Sequence, residues 1–190
     1  MLLGNFADIT TGLVLSRKKS KITDNKNIYK SLTLKSFEED GYIDLKEVDE
    51  FESNEELNEQ YLTKEGDIVI RLTTPFTSLV INKKFEGFVI PSNFAVIRIK
   101  ENKFIPGYVS LILNSDKLRK QFNRSSIGTA IPIIKVTALK DINIKEHSLE
   151  LQEKLFKLNQ LFLEEKNLLK SLIIEKEIRH KAILKKLLDK

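Results

Sequence analysis

Along the first 147 residues, apolar and polar positions alternate in short blocks. Runs of branched and aromatic side chains, GLVLS (12–16), YKSLTLKSF (29–37), GDIVIRL (66–72), SLVINKK (78–84), GFVI (87–90) and FAVIRIK (94–100), are separated by turn formers. This pattern predicts strands. FAVIRIK alternates imperfectly through Phe94, Val96, Ile97, Arg98 and Ile99, which predicts a strand with one face toward solvent. After Pro106 the period lengthens, with Tyr108, Leu111, Ile112, Leu118 and Phe122 recurring at steps of three and four. A helix opening on a proline in its first turn fits that spacing.

All seven glycines and all four prolines lie in residues 1–147. Residues 148–190 contain neither, which predicts one uninterrupted helix. Ser148 is placed to cap it, with Glu150 near its positive end. Leu151, Leu155, Leu158, Phe162, Leu169 and Leu172 follow heptad steps, Glu165 interrupting one position, and form a seam that seeks another helix. Beyond Leu172 the stripe moves to Ile174, Ile178, Leu184 and Leu188, a stutter in the register. At about 1.5 Å per residue the segment spans roughly 65 Å, more than its own domain needs for cover. The alternative is that it folds back on that domain. The fold class expected is α+β: a strand-rich domain over 1–147 and a long helix over 148–190.

With 190 residues, 41% apolar and 31% charged, the chain suits one folded domain with an appendage. The N-terminus lacks the pattern of a secretory signal and no window is apolar enough to span a bilayer, so a cytoplasmic, membrane-free location is expected. There is no cysteine, and His147 and His180 are the two histidines. Net charge is +5, unevenly spread: residues 38–59 hold eleven acidic residues against Lys46 alone. That separation predicts a basic face for a polyanion, with the acidic segment pointing elsewhere, although plain solubility accounts for it equally well.

Catalytic patterns are missing. TTPF (73–76) has one proline and no preceding acidic or amide residue, and no GxGxxG accompanies it, so a methyltransferase is disfavoured. The acidic stretch lacks a nuclease arrangement on adjoining strands, and neither histidine has a triad partner nearby in sequence. No cofactor or metal is expected in this chain. Binding chemistry is present instead. SRKKSK (16–21) places Arg17, Lys18, Lys19 and Lys21 in one loop, and KLRKQFNRSS (117–126) carries Arg124, Ser125 and Ser126 off a helix end. Arg71, Thr73 and Thr74 end a strand, and Asn93 occupies a turn. Long cations suit phosphates, while Arg, Asn, Ser and Thr also reach base edges.

The order of these blocks resembles the DNA-specificity subunit of Type I restriction-modification systems, specifically a half-length form with one target-recognition domain and one long helix. The resemblance is carried by LLGNFADITTGLVLS (2–16), LTKEGDIVIRLT (62–73), GTAIPIIKVTALKDINI (128–144) and the helix from Leu149 to Leu188. Where the family usually has Leu-Gly-Asp-Ile and then a threonine or serine and glycine, this chain has Leu3, Gly4, Asn5 and Phe6, then Thr11 and Gly12. The family's proline-rich run before a Glu-Gln pair is here NIKEHSLELQEK (143–154), which keeps Gln152 and loses the prolines.

The resemblance implies that a GTA turn lies near the DNA-facing side, with Thr129 either contacting DNA or serving packing alone. It places Ile131, Ile133, Ile134, Val136, Leu139, Ile142 and Ile144 in the core at the helix root. Full-length relatives carry two domains and two antiparallel helices. The single domain and helix here imply a homodimer paired as an antiparallel coiled coil through Leu151, Leu155, Leu158, Phe162, Leu169, Leu172 and Ile178. Such a dimer would read a symmetric interrupted site on double-stranded DNA. It would scaffold a methyltransferase subunit, with a restriction subunit as a further partner, and be non-catalytic itself. The competing reading is a coiled-coil adaptor without sequence-specific DNA binding.

Overall fold

A computed structural model describes residues 1–18, 27–38, 41–125 and 133–189. Four strands, β1 (Ala7–Thr11), β4 (Ile68–Arg71), β5 (Ser78–Val80) and β6 (Phe94–Ile99), form an antiparallel sheet in the order β1-β6-β4-β5. A second pair, β2 (Asn27–Ser31) and β3 (Asp49–Ser53), lies apart from it. The helices are α1 (Leu3–Phe6), α2 (Pro106–Leu113), α3 (Asp116–Ser125), α4 (Val136–Lys140) and α5 (Leu149–Leu188). The expected α+β class, a strand-rich domain followed by a long helix, is what the chain adopts.

The central strands are apolar on both sides because cores form on both sheet faces. Ile68, Ile70, Ala95 and Ile97 join Leu3, Phe6, Tyr108, Val109, Leu118, Phe122 and Leu139 on one face. Val69, Phe94 and Val96 meet Leu32, Phe37, Leu79, Ile81 and Ile90 on the other. The expected solvent face of β6 is therefore absent over its first four residues, all of them buried.

Several elements differ from the sequence pattern. The first strand is ADITT, not GLVLS. At Gly12 the chain presses against β6's approach so closely that a Cβ would lie 2.2 Å from the carbonyl oxygens of Ile90 and Pro91. Leu15–Arg17 then forms a 3-10 turn. β2 ends at Ser31, where Thr33 and Ser36 bond each other's backbone and turn the chain. β3 is an acidic strand held by Phe51, buried on its inner face. GFVI makes single bridges through Val89 to Ser31 and Leu62. Arg98 grips the buried Asp67 carboxylate with two bonds of 2.9 Å and also donates to the Leu62 carbonyl.

At the helix root, Ile134, Leu139, Ile142 and Ile144 are core, as expected, but Ile133 is 57% exposed and Val136 only partly buried. Ile131 lies outside the described residues. VTALK is helical, its turn held by packing of Leu139 into the core beside α1. Ser148 caps α5 by accepting from the Leu151 N–H. The first turns of α5 lie on α2 through Phe156, with Leu155 partly covered by the core, and its side chains are exposed from Leu168 to Asp189. Leu155 thus packs partly on its own domain.

Candidate nucleic-acid interface

Loops from separate parts of the sequence converge at one end of the domain. The turn after β4 is tied to the segment leaving α3: Thr73 bridges Ile133, and Ile134 donates to the Leu72 carbonyl at 2.8 Å. Phe76, at φ 58° and buried, packs edge-on against Phe122 of α3 at 5.6 Å. A bulky residue in the left-handed region is held there by its surroundings. Leu72 also donates to the Asn93 carbonyl, bringing that turn alongside. The expected set Arg71, Thr73, Thr74, Asn93 and Arg124 therefore comes from one region of the fold.

The side chains differ in what they offer. Arg71 donates to the carbonyls of Leu34 (3.3 Å) and Thr74 (3.0 Å), which uses its guanidinium to join two loops. The Thr73 hydroxyl and the Asn93 carbonyl oxygen are buried without a partner among the described residues. Thr74, Arg17 and Arg124 are exposed. Lys18 forms an ion pair with Glu55, and its carbonyl receives the Asn54 N–H. Ser125 ends α3. Lys19, Lys21, Ser126 and Thr129 lie outside the described residues.

α3 adds residues that the candidate set omitted. Leu118 and Phe122 anchor it in the core, leaving Lys117, Lys120, Gln121 and Arg124 around a shallow groove of about 570 Å³. Their spacing of three, four and seven puts them on one helical face, a signal readable in KLRKQFNR. This face offers three cations at intervals suited to a phosphate backbone.

Part of the acidic segment lies beside Asn93 and the loop before Arg17. A cleft of about 860 Å³ is walled by Leu15, Ser16 and Asn93 on one side and by Glu47, Asp49, Glu50 and Glu52 on the other. Pairing of β2 with β3 carries these carboxylates there, and a 2.6 Å bond from the Thr33 hydroxyl to the Glu47 carbonyl holds the loop. Carboxylates repel phosphates, so this cleft is no backbone groove; they do accept hydrogen bonds from exocyclic amines of bases. Among the described residues there is no cluster of His, Asp and Glu suited to a metal. No helix among them is long and apolar enough to cross a membrane.

Over this antiparallel-sheet domain and long helix the chain shares its fold with part of solved chains of Type I restriction-modification systems, two of them S subunits. The HsdS subunit from Thermoanaerobacter tengcongensis matches with a TM-score of 0.66 at 15% identity, over 90% of this chain and 43% of that one. A chain of a type I R-M system solved for its complex assembly and conformational transition matches at 0.64 and 16%, over 96% and 42%. The S subunit from M. genitalium matches at 0.54 and 15%, over 92% and 42%. This chain spans about two fifths of the length of these solved chains, and at such identities the likeness is one of fold. Neither a protein-family model nor a curated protein matches the sequence.

Proposed function

We propose that the protein is a half-length specificity subunit: a non-catalytic DNA reader that pairs with a second copy through α5 and recognises a symmetric, interrupted site. The observation that carries this reading is the apolar stripe of α5. Leu158, Phe162, Leu169, Leu172 and Ile178 are 47 to 66% exposed, on a helix that continues past its domain. A stripe of this kind at heptad steps is stable in water only when covered. Charge favours an antiparallel partner modestly: the first half of α5 has four Glu against Lys154, Lys157 and Lys166, a net −1, while the second has six Lys and Arg against Glu175 and Glu177, a net +4.

In this dimer each domain presents Arg17, Thr74 and the Lys117, Lys120 and Arg124 face to DNA, and the choice of bases belongs to the loops between them. Methyl transfer is performed by a methyltransferase subunit docked on the paired helices, with its own cofactor; a restriction subunit joins that assembly. The acidic wall of the cleft, because it repels phosphates, favours the second reading, a coiled-coil adaptor without sequence-specific DNA binding. Co-expression with the neighbouring methyltransferase gene, followed by mapping of methylated adenines, separates the two. An interrupted palindrome is expected; methylation without a motif, or at an asymmetric one, contradicts the proposal.

A further inference from the structure

Gln152 is the one fully buried residue of α5. Its amide donates to the carbonyls of Lys103 (2.7 Å) and His147 (2.8 Å), and its Oε1 accepts from the Ile105 N–H (3.0 Å). One side chain thus ties the first turn of α5 to the loop before α2 and to the residue before the cap. The contacts around it are equally close. The Phe156 ring lies against Gly107, where a Cβ would sit 2.4 Å away. Tyr108 donates to the Lys145 carbonyl at 3.0 Å and meets His147 edge-on. Leu155 rests on the core.

We infer that Gln152 is the positioning residue that sets the angle at which α5 leaves the domain. The helix runs on for about 36 residues beyond it, a lever of roughly 54 Å. A swing of about 10° moves the far end by about 9 Å, close to three base-pair rises of about 3.4 Å. A ruler for DNA needs a tighter joint than an exposed helix root provides, and a buried amide with all three bonds satisfied has both direction and stiffness. The inference rests on the proposed function only for its consequence, since the angle exists with or without DNA.

The chain has no cysteine, so Glu86→Cys and Glu177→Cys give unique spin labels on the domain and the distal helix, both exposed. Doubly labelled protein diluted with unlabelled chain reports the intramolecular distance by pulsed electron paramagnetic resonance. A narrow distribution is expected for the native joint. Gln152→Met keeps length and loses every bond, and at least a doubling of the width is expected while helical circular dichroism persists. Gln152→Asn stays neutral but is one methylene short of its three partners, and an intermediate width is expected; it carries the test if the methionine variant fails to fold. Widths and means equal to the native joint in the folded variant overturn the inference. In co-expression, Gln152→Met should admit more than one spacer length. Widened distances beside an unmethylated genome in the native strain would leave the joint standing and remove the DNA reading.

Discussion

Arg71 and Arg124 are both arginines near the converging loops, yet they have different tasks. Arg71 faces carbonyls inside the domain, whereas Arg124 stands on an exposed helical face with Lys117 and Lys120. Replacing these three by alanine should reduce the slope of log affinity against log salt by about 2.7, at roughly 0.9 per lost phosphate contact on duplex DNA. Fluorescence anisotropy across a salt series measures it, and an unchanged slope would move the DNA face elsewhere. Arg98→Met tests the opposite kind of arginine. It leaves the Asp67 carboxylate, 6% exposed, with the Lys64 N–H but without its cation, and a loss of about 3 kcal/mol is expected in urea denaturation. Tyr108 supplies a pH signature. Burial pushes its phenol above the usual 10, so the folded state holds the neutral form, and its contribution is complete below pH 10 and lost as pH rises through the folded value. Tyr108→Phe should cost about 1 kcal/mol at pH 8, for the bond to Lys145. The gap between variant and native protein should close above pH 10.

The elements differ in how openly the sequence announces them. α5 was legible because a 3.6-residue pattern without glycine or proline admits one conformation, and β4 and β6 were legible because IVI and FAVI are too short and branched for helices. β3 was hidden, since its acidic residues outnumber the single buried Phe51 that holds it. α1 and α4 are too short to have a preference of their own and take their turn from contacts with each other and β1. For the candidate site, the chemical types were readable in Arg17, Thr74 and Arg124. Which loops meet was not, because the strand order β1-β6-β4-β5 decides it. The acidic strand's place in the cleft is likewise a product of pairing across the 32–48 connection, which composition cannot express. α5 also carries its own test: Leu158→Glu with Phe162→Glu should leave the domain folded and the protein monomeric on light scattering. A persistent dimer would show that another surface joins the copies.

At the scale of the molecule, two features combine: a domain that folds around a double-sided sheet, and a helix whose outer half is exposed to solvent. The side chains of that outer half are exposed, so under the proposed pairing the stripe serves assembly more than domain stability. If two copies pair antiparallel, one half of each helix covers the other's second half, and the reading ends are held at a fixed separation. Spacing, specificity and recruitment of the chemistry then come from one symmetric object. The most direct measurement is the mass of the purified chain in solution by light scattering over a wide concentration range. A dimer of about 44 kDa, twice the 21.9 kDa chain, is what pairing through α5 requires. A species of 21.9 kDa persisting at high concentration would contradict it.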